Sequence, residues 1–503
     1  MILPRCHTWL HLVPKSARFT TYGAPEFFAR DLRDRGLDAP PQAGMLGAPH
    51  ADGPAELAAP ENPRGLVLWG NAAARQADLA NCDVLVAVNV HGMRSDALRR
   101  ASFNDIRTYA AIPNLMEPRW LLPLDNAAVA TAGFCLYTPQ RRAARLAVGM
   151  AKLLARTTWQ FWYPHVITIA QKHTPPLVTM LQAALVKQPD DTAINNPTSA
   201  QRGRPAAPTT SRALAMSAIS LAISTGAVGP DERRKPAMAV LDAQGHRLAF
   251  IKIAGSAVAL SMLQHEAVVL PRLAALCQNA GHRDVAPRLL FSGFVDGTYM
   301  TVQSPVEGTP VVPVIGPPHH DFLNLLASGS PKPAGKTALV TALKRDVRTW
   351  QLPGIDGAQA LAAVQNVLDN AMTPATMMHA DFVPWNLRHT TDGMAAFDWD
   401  AAELDGLPLV DAMHHDLIVG HLLRHWTPLR ASQYLRQEAA LRPLGLCPEQ
   451  VRAIQVAYIL YWLGKLLGQG HTQHDAMVQW YAALCRDLAN QAPERRIPHA
   501  IAG

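Results

Sequence analysis

The sequence predicts a mixed α+β chain: a strand-rich stretch, then a helical one, with a separate α/β part ahead of both. Three observations carry this. Between Ser217 and Gln303, short apolar runs bounded by glycine or polar residues read as strands. From Lys336 to Asn490 the apolar residues recur at helical spacing instead. Residues 1–186 carry strand patterns of their own and are set off by residues 187–212, which hold almost no large apolar side chain.

Composition narrows the class. At 503 residues the chain exceeds one ordinary core, so several domains are expected. A hydrophobic content of 49% with 17% charged residues reads as globular and soluble. The net charge of +7 suits an anionic ligand such as a nucleotide. It is dispersed, and no base-stacking motif accompanies it, so nucleic acid is not an expected partner. The six cysteines lie far apart without a C-x-x-C pair, which indicates neither zinc nor a disulfide framework and points to a reducing compartment. Pro4, Arg5, His7 and His11 interrupt any apolar leader, so no signal peptide is expected. The longest uncharged run, Ala213 to Pro230, is short and only mildly hydrophobic for a membrane span. It reads better as a buried strand entering a glycine turn. A cytoplasmic protein without stable membrane insertion follows.

In order along the chain, residues 1–186 form an N-terminal α/β domain. Gly65–Trp69 and Asp83–Asn89 are its clearest strands, with a helix expected over Asn71–Ala80 and a long loop over 38–64. No G-x-G-x-x-G follows either strand, which leaves a dinucleotide fold unsupported. Pro139–Thr157 reads as a basic amphipathic helix. Such a helix can lie on an acidic membrane, but a solvated face with its other side in the core is the simpler reading. Trp159, Phe161, Trp162 and Tyr163 are expected in a core or interdomain contact. Residues 187–212 form a flexible linker.

Residues 213–308 are the strand-rich lobe. Ser217–Ile223 is its first strand and Thr225–Gly229 a turn, where Gly226 and Gly229 would let backbone N–H groups approach a phosphate, although a plain hairpin turn fits the residues equally well. Strands follow at Ala237–Leu241 and Arg247–Ala254, joined by the Ala243–Gly245 turn. Lys252 stands alone in an apolar run and needs an anionic partner. The other reading is a lysine whose head snorkels to solvent. Glu266 sits fourteen residues on, in a helix over Ser261–Cys277 suggested by Leu263, Val268, Leu270 and Leu273. Strands at Arg288–Ser292 and Tyr299–Gln303 lead into Ser304–Gly308. Residues 309–490 are the helical lobe, with helices at Lys336–Leu352, Ala358–Ala371, Val410–Trp426, Pro448–Gly468 and Ala476–Asn490; residues 491–503 are a tail.

The chemistry concentrates in His379-Ala380-Asp381-Phe382-Val383-Pro384-Trp385-Asn386, followed by Phe397-Asp398-Trp399-Asp400 and by Gly406-Leu-Pro-Leu-Val-Asp411. The spacing H-x-D-x-x-x-x-N and then a hydrophobic-D pair is what phosphoryl transfer requires: a carboxylate for the attacking hydroxyl, an amide and a second carboxylate for Mg²⁺. Together these motifs resemble the aminoglycoside phosphotransferase and choline kinase-like family over about residues 215–490. The resemblance implies a bilobal protein-kinase-like fold, ATP or GTP with Mg²⁺, and Asp381 as the catalytic group. Asn386 and Asp398 are then the metal ligands, and Asp400 reaches a second metal or the substrate. It further implies that Lys252, held by Glu266, orients the phosphates, and that Gly226, Gly229, Gln303 and Val306 belong to the nucleotide site, the last two at the hinge. His379 would brace the loop and Asp411 buttress it.

Two departures from the family pattern are visible: the residue at 380, and the Thr225–Gly229 glycine turn, which matches the family poorly and bears on nucleotide affinity. Ala380 stands where the family carries glycine. Val383 stands where Ser/Thr protein kinases carry lysine, and D-F-G and A-P-E are absent, so the acceptor is expected to be small: an aminoglycoside, sugar, amino alcohol or glycan precursor. The His319-His320-Asp321 and His414-His415-Asp416 stretches lack zinc spacing, which leaves them surface or helix-end roles. The leading reading is a small-molecule O-phosphotransferase. One rival is a nucleotide-binding regulatory module of the same fold. The other makes the N-terminal domain the main enzyme, in envelope-polysaccharide metabolism.

Overall fold

A computed structural model describes residues 10, 12–34, 36–38, 63–71, 79, 81–90, 95–112, 115, 118–136, 149–150, 153, 163, 165–186, 219–224, 233–281, 285–437 and 445–489. It has the α+β character expected and divides into two compact units. The first comprises Met1–Gln264 and Leu289–Pro305, the second His265–Arg288 and Val306–Gly503.

The first unit is built on one 11-stranded sheet. Its strands are β1 (Arg18–Tyr22), β2 (Arg64–Trp69), β3 (Val84–Val88), β4 (Asp105–Ile112), β5 (Trp120–Pro123), β6 (Val166–Gln171), β7 (Ser220–Ser224), β8 (Ala237–Leu241), β9 (Arg247–Ile253), β10 (Leu289–Val295) and β11 (Thr298–Gln303). They lie in the order β1-β2-β3-β6-β4-β5-β7-β8-β9-β11-β10. β1, β2 and β3 pair in parallel, and the rest of the sheet is antiparallel. Successive residues of β2 enter different cores: Val67 packs with Phe19, Phe28, Val86 and Ile169, whereas Leu66 and Leu68 pack with Leu85, Leu98 and Phe103. That alternation follows from the strand period of two and explains why β2, β3 and β6 are apolar runs rather than alternating ones.

The sheet continues across the expected domain boundary. β5 pairs with β7 through Trp120↔Ser224 and Leu121↔Ile223. Arg107 Nη1 donates to Ile219 O at 2.8 Å, and Asn126 Nδ2 donates to Ala243 O at 3.1 Å. The Ala243–Gly245 turn lies against the Ala127–Leu136 helix; Gly245 has φ +83°, and a Cβ there would meet Ala128 O at 2.8 Å. The expected N-terminal domain and strand-rich lobe therefore share backbone pairing and a common core from Phe19 to Val302. An edge strand leaves a row of N–H and C=O groups without partners, and β5 and β7 satisfy each other's.

The second unit is mainly helical. The helix Ala257–Asn279 begins in the first unit, and its portion in the second buries Glu266, Val269, Leu270, Leu273 and Cys277, a stripe of helical period with a carboxylate in it. Val268, one of the apolar residues that indicated this helix, is 49% exposed because it falls outside that stripe. Pro448–Gly468 and Ala476–Ala489 pack with Gly357–Asn370 around Leu361, Val364, Ile454, Ile459, Leu484 and Leu488.

Two expected helices are shorter than read. Lys336–Leu352 is broken: Thr337 Oγ1 accepts from Val340 N–H and caps a helix over Ala338–Asp346, with a 3₁₀ turn on either side. Val410–Leu422 stops before Trp426, whose N–H returns to Gly420 O at 2.8 Å. Its indole covers Gly420, where a Cβ would lie 2.2 Å from the ring. No helix among the described residues is long and apolar enough to cross a membrane.

Several expectations fall outside the described residues. These are most of the 38–64 loop, of the Asn71–Ala80 helix and of Pro139–Thr157, together with Trp159, Phe161 and Trp162. The 187–212 linker, the 491–503 tail and the Thr225–Gly229 turn with Gly226 and Gly229 fall there too.

Candidate active site

A β-hairpin brings the two halves of the central motif together. The segment from His379 to Asn386 runs from the strand Thr376–Met378 to a 3₁₀ turn at Pro384–Asn386. Leu387–Thr390 then pairs with Gly393–Ala396, so the chain reverses. Phe397 N–H reaches Asn386 O at 3.0 Å, which sets Asp398 one residue beyond Asn386's partner. Asp398 itself has φ +70° and opens the 3₁₀ turn Trp399–Ala401, which contains Asp400. Both carboxylate residues are half-buried.

Asp411, in the first turn of the Val410–Leu422 helix, holds the loop by its backbone. Its two carboxylate oxygens accept from His379 N–H at 2.7 Å and from Ala380 N–H at 2.8 Å. Burial pushes the Asp411 carboxyl up from its usual range, while His379 and the two N–H groups act in the opposite direction. His379, fully buried, accepts from Asp381 N–H through Nδ1 at 3.3 Å, so its Nε2 carries the proton given to Phe397 O at 3.0 Å. The same ring lies 4.5 Å from the Trp399 ring, centroid to centroid. From the Ala257–Asn279 helix, Glu266 Oε1 accepts from Trp399 N–H at 3.0 Å, and His265 Nε2 lies 2.8 Å from Ala402 O.

The grip of Asp411 explains the departure at position 380. Ala380 is held at φ +60°, in the left-handed region that favours glycine. Ala380→Gly should relieve that strain against the entropy glycine loses, a net gain of about 0.5–1 kcal/mol. Urea unfolding would measure it; a loss of stability would show that the methyl group, which is buried, matters more than the backbone angle.

Asp381 and Asn386 are bonded to each other. Asn386 Nδ2 donates to Asp381 O at 3.0 Å and to Asp381 Oδ2 at 2.9 Å. Both partners are acceptors, so the amide orientation follows and Oδ1 is the oxygen left to take a cation. The Asp381 side chain is 39% exposed, open to a reactant, and its Oδ1 lies 3.5 Å from His414 Nε2. Among the described residues, no group of three or more His, Cys, Asp or Glu side chains could hold a metal ion by itself. One amide oxygen and one or two carboxylates suit Mg²⁺, which takes hard oxygens and completes its shell with water and phosphate.

In the first unit, Lys252 lies on β9 directly opposite Thr301 of β11, and Gln303 follows two residues on, along the same face. Thr301 Oγ1 and Gln303 Nε2 are buried with no hydrogen-bond partner among the described residues. Lys252 and Glu266 belong to different units. One of the divisions falls just after Pro305, so Gln303 ends β11 in the first unit and half-buried Val306 belongs to the second.

The histidines correct a sequence expectation. His414 and His415 sit mid-helix and are 1% and 0% exposed, not at a surface or helix end. His414 Nδ1 lies 3.2 Å from Tyr458 OH, and the Trp462 ring covers the imidazole at 4.3 Å. His319 does take a helix-end place, accepting Gly316 N–H at 3.1 Å, but it too is buried and packs against His415 and Phe382. Burial and the neighbouring His415 and His389 lower its pKa to about 4. His414 lies beside Asp381, with Tyr458 behind it, a placement that sequence reading missed; a histidine three residues after Asp411, one helical turn on, was the available signal.

No family model matches the chain, and no curated protein matches it. Solved structures do. The chain is similar to a thermostable mutant of aminoglycoside phosphotransferase APH(4)-Ia in ternary complex with AMP-PNP and hygromycin B: 17% identity, 54% of this chain, 93% of that one, TM-score 0.37. It is similar to choline kinase LicA from Streptococcus pneumoniae at 13% identity, over 56% of this chain and 98% of that one, TM-score 0.35. A choline/ethanolamine kinase family protein from Mesorhizobium loti is 18% identical over 51% of this chain and 85% of its own, TM-score 0.33. These neighbours are of the group that the motifs resemble.

Proposed function

We propose that the chain is an ATP- and Mg²⁺-dependent phosphotransferase that moves the γ-phosphoryl group to a hydroxyl of a small molecule. The observation that carries this reading is the braced loop: a half-exposed Asp381 bonded to Asn386, directly after the His379 and Ala380 N–H groups that Asp411 grips. In the reaction, the acceptor oxygen bonds to the γ-phosphorus, the bond to the ADP oxygen breaks, and the hydroxyl proton passes to Asp381. Asn386 and Asp398, with Asp400 nearby in sequence, would hold Mg²⁺, which supplies charge neutralisation on the phosphates when bound. Most of the rate gain in such chemistry comes from positioning, which the hydrogen bonds around Asp381 serve.

The nucleotide assignment is supported in the first unit by Lys252, Thr301 and Gln303 on one sheet face, with orphaned polar atoms at the last two. GTP would meet the same phosphate groups. A small acceptor is supported by Val383, where a protein kinase's lysine would stand. The classes that fit are aminoglycosides, sugars, amino alcohols and glycan precursors. The test is a nucleotide-consumption screen of the full chain against pooled hydroxyl-bearing metabolites and antibiotics. Acceptor-dependent ADP formation is expected, and nucleotide binding without any acceptor turnover would overturn the reading. Asp398→Ala is expected to remove the Mg²⁺ dependence of nucleotide binding. An unchanged magnesium titration in that variant would take Asp398 out of the metal site.

A further inference from the structure

Behind Asp381 lies a polar pair that the reaction as written above does not use. His414 Nε2 is buried, has no hydrogen-bond partner among the described residues, and faces Asp381 Oδ1 at 3.5 Å. The other ring nitrogen, Nδ1, is 3.2 Å from the hydroxyl of Tyr458, itself 1% exposed. We propose that His414 and Tyr458 are positioning residues for Asp381: the Tyr458 O–H donates to Nδ1, and the Nε2–H this fixes steers the Asp381 carboxylate. The kinetic part of the proposal rests on the phosphotransferase reading.

The argument is one of complementarity. Asp381 Oδ2 is held by Asn386, which leaves Oδ1 as the oxygen that decides how the carboxylate is turned. A bare ring nitrogen facing that oxygen would set lone pair against lone pair, so Nε2 must carry a proton. Nδ1 is then the acceptor, and Tyr458 is the donor beside it. Burial, and the neighbouring Tyr481 hydroxyl, push the Tyr458 phenol well above its ordinary pKa, so it stays a protonated donor; its 3.2 Å approach to Nδ1 is what assigns that donor to His414. The Trp462 ring against the imidazole closes one side of the site. A gap of 3.5 Å is longer than a formed hydrogen bond, as is common before a substrate is bound, and a small rotation of the carboxylate closes it. Asp411 belongs to the same helix one turn earlier, so a single element carries the group that grips the loop and the group that aims its carboxylate.

Two measurements on the full chain test this. The first needs no activity: ¹⁵N-histidine-labelled protein at neutral pH, with His414 assigned by comparison with His414→Gln. A neutral ring protonated on Nε2, lost or mixed in Tyr458→Phe, is expected. An Nδ1-protonated ring or an imidazolium overturns the proposal, whether or not the protein proves to be a kinase. The second uses Mg²⁺-ATP and the acceptor found in the screen. His414→Ala should lower kcat about 10²-fold, the scale of a misaimed catalytic group, with KM for ATP changed less than about twofold. His414→Gln, which restores an N–H donor, should recover at least about tenfold of that loss. Wild-type kcat in His414→Ala, or a glutamine variant no better than alanine, overturns the proposal. A screen without any acceptor would instead remove the phosphotransferase reading and leave the tautomer to decide the role of His414.

Discussion

Asp381→Ala is expected to reduce phosphoryl transfer by about 10³-fold, equivalent to about 4 kcal/mol of transition-state stabilisation. Nucleotide and Mg²⁺ binding should survive. The substitution removes the carboxylate proposed to take the hydroxyl proton, but Asn386 keeps its bond to the Asp381 backbone oxygen, which alanine also provides. The bonds from Asp411 to the neighbouring N–H groups involve only backbone on the loop side, so the loop should hold its course. Asp381→Asn is the sharper control. It preserves an oxygen for Asn386 and removes only the negative charge and proton affinity. Single-turnover rates with saturating Mg²⁺-ATP would separate chemistry from binding, and wild-type turnover in either variant would strip Asp381 of its role.

Asp411→Ala should be the most destabilising single change near the site. Two backbone N–H groups, of His379 and Ala380, lose their acceptors in a place where water does not compensate. Each unsatisfied buried donor costs about 1–3 kcal/mol, so a loss of about 4 kcal/mol is expected. That is a large part of the stability of an ordinary domain. Asp411→Asn should not rescue it, because one carboxylate oxygen is replaced by an N–H that meets another donor. Urea unfolding followed by tryptophan fluorescence is suited to the test, since the Trp399 ring packs against His379 beside the loop. A loss below about 1 kcal/mol in Asp411→Ala would mean that the grip is not what holds the loop.

The shared sheet bears on any attempt to separate the parts. Cutting the chain within 187–212 would strip β5 of its partner β7 and divide the core that runs from Phe19 to Val302. Residues 1–186 expressed alone would present a bare sheet edge, a template for association. Tests of an independent role for the N-terminal part are therefore better made by substitution in the full chain than by truncation.

What could be read from the sequence was local. The Asp381–Asn386 pair lies within one loop, so H-x-D-x-x-x-x-N already specifies which groups can bond, and Asp398 follows from a hairpin only a few residues long. Strands such as β8 and helices such as Pro448–Gly468 were legible from periodicity and from their flanking turn residues. Long-range pairing left no such trace. That β5 continues into β7 depends on backbone N–H and C=O groups, which every residue carries alike, so no side-chain pattern announces it. His414 reads in sequence as one of 20 histidines; it becomes a neighbour of Asp381 only because the Val410–Leu422 helix packs its ring between that loop and Tyr458. The sequence by itself determined the chemistry available, since residue types and short spacings are written in it. Only the tertiary structure decided which buried groups stand behind that chemistry, because burial and partnership arise from packing between segments far apart along the chain.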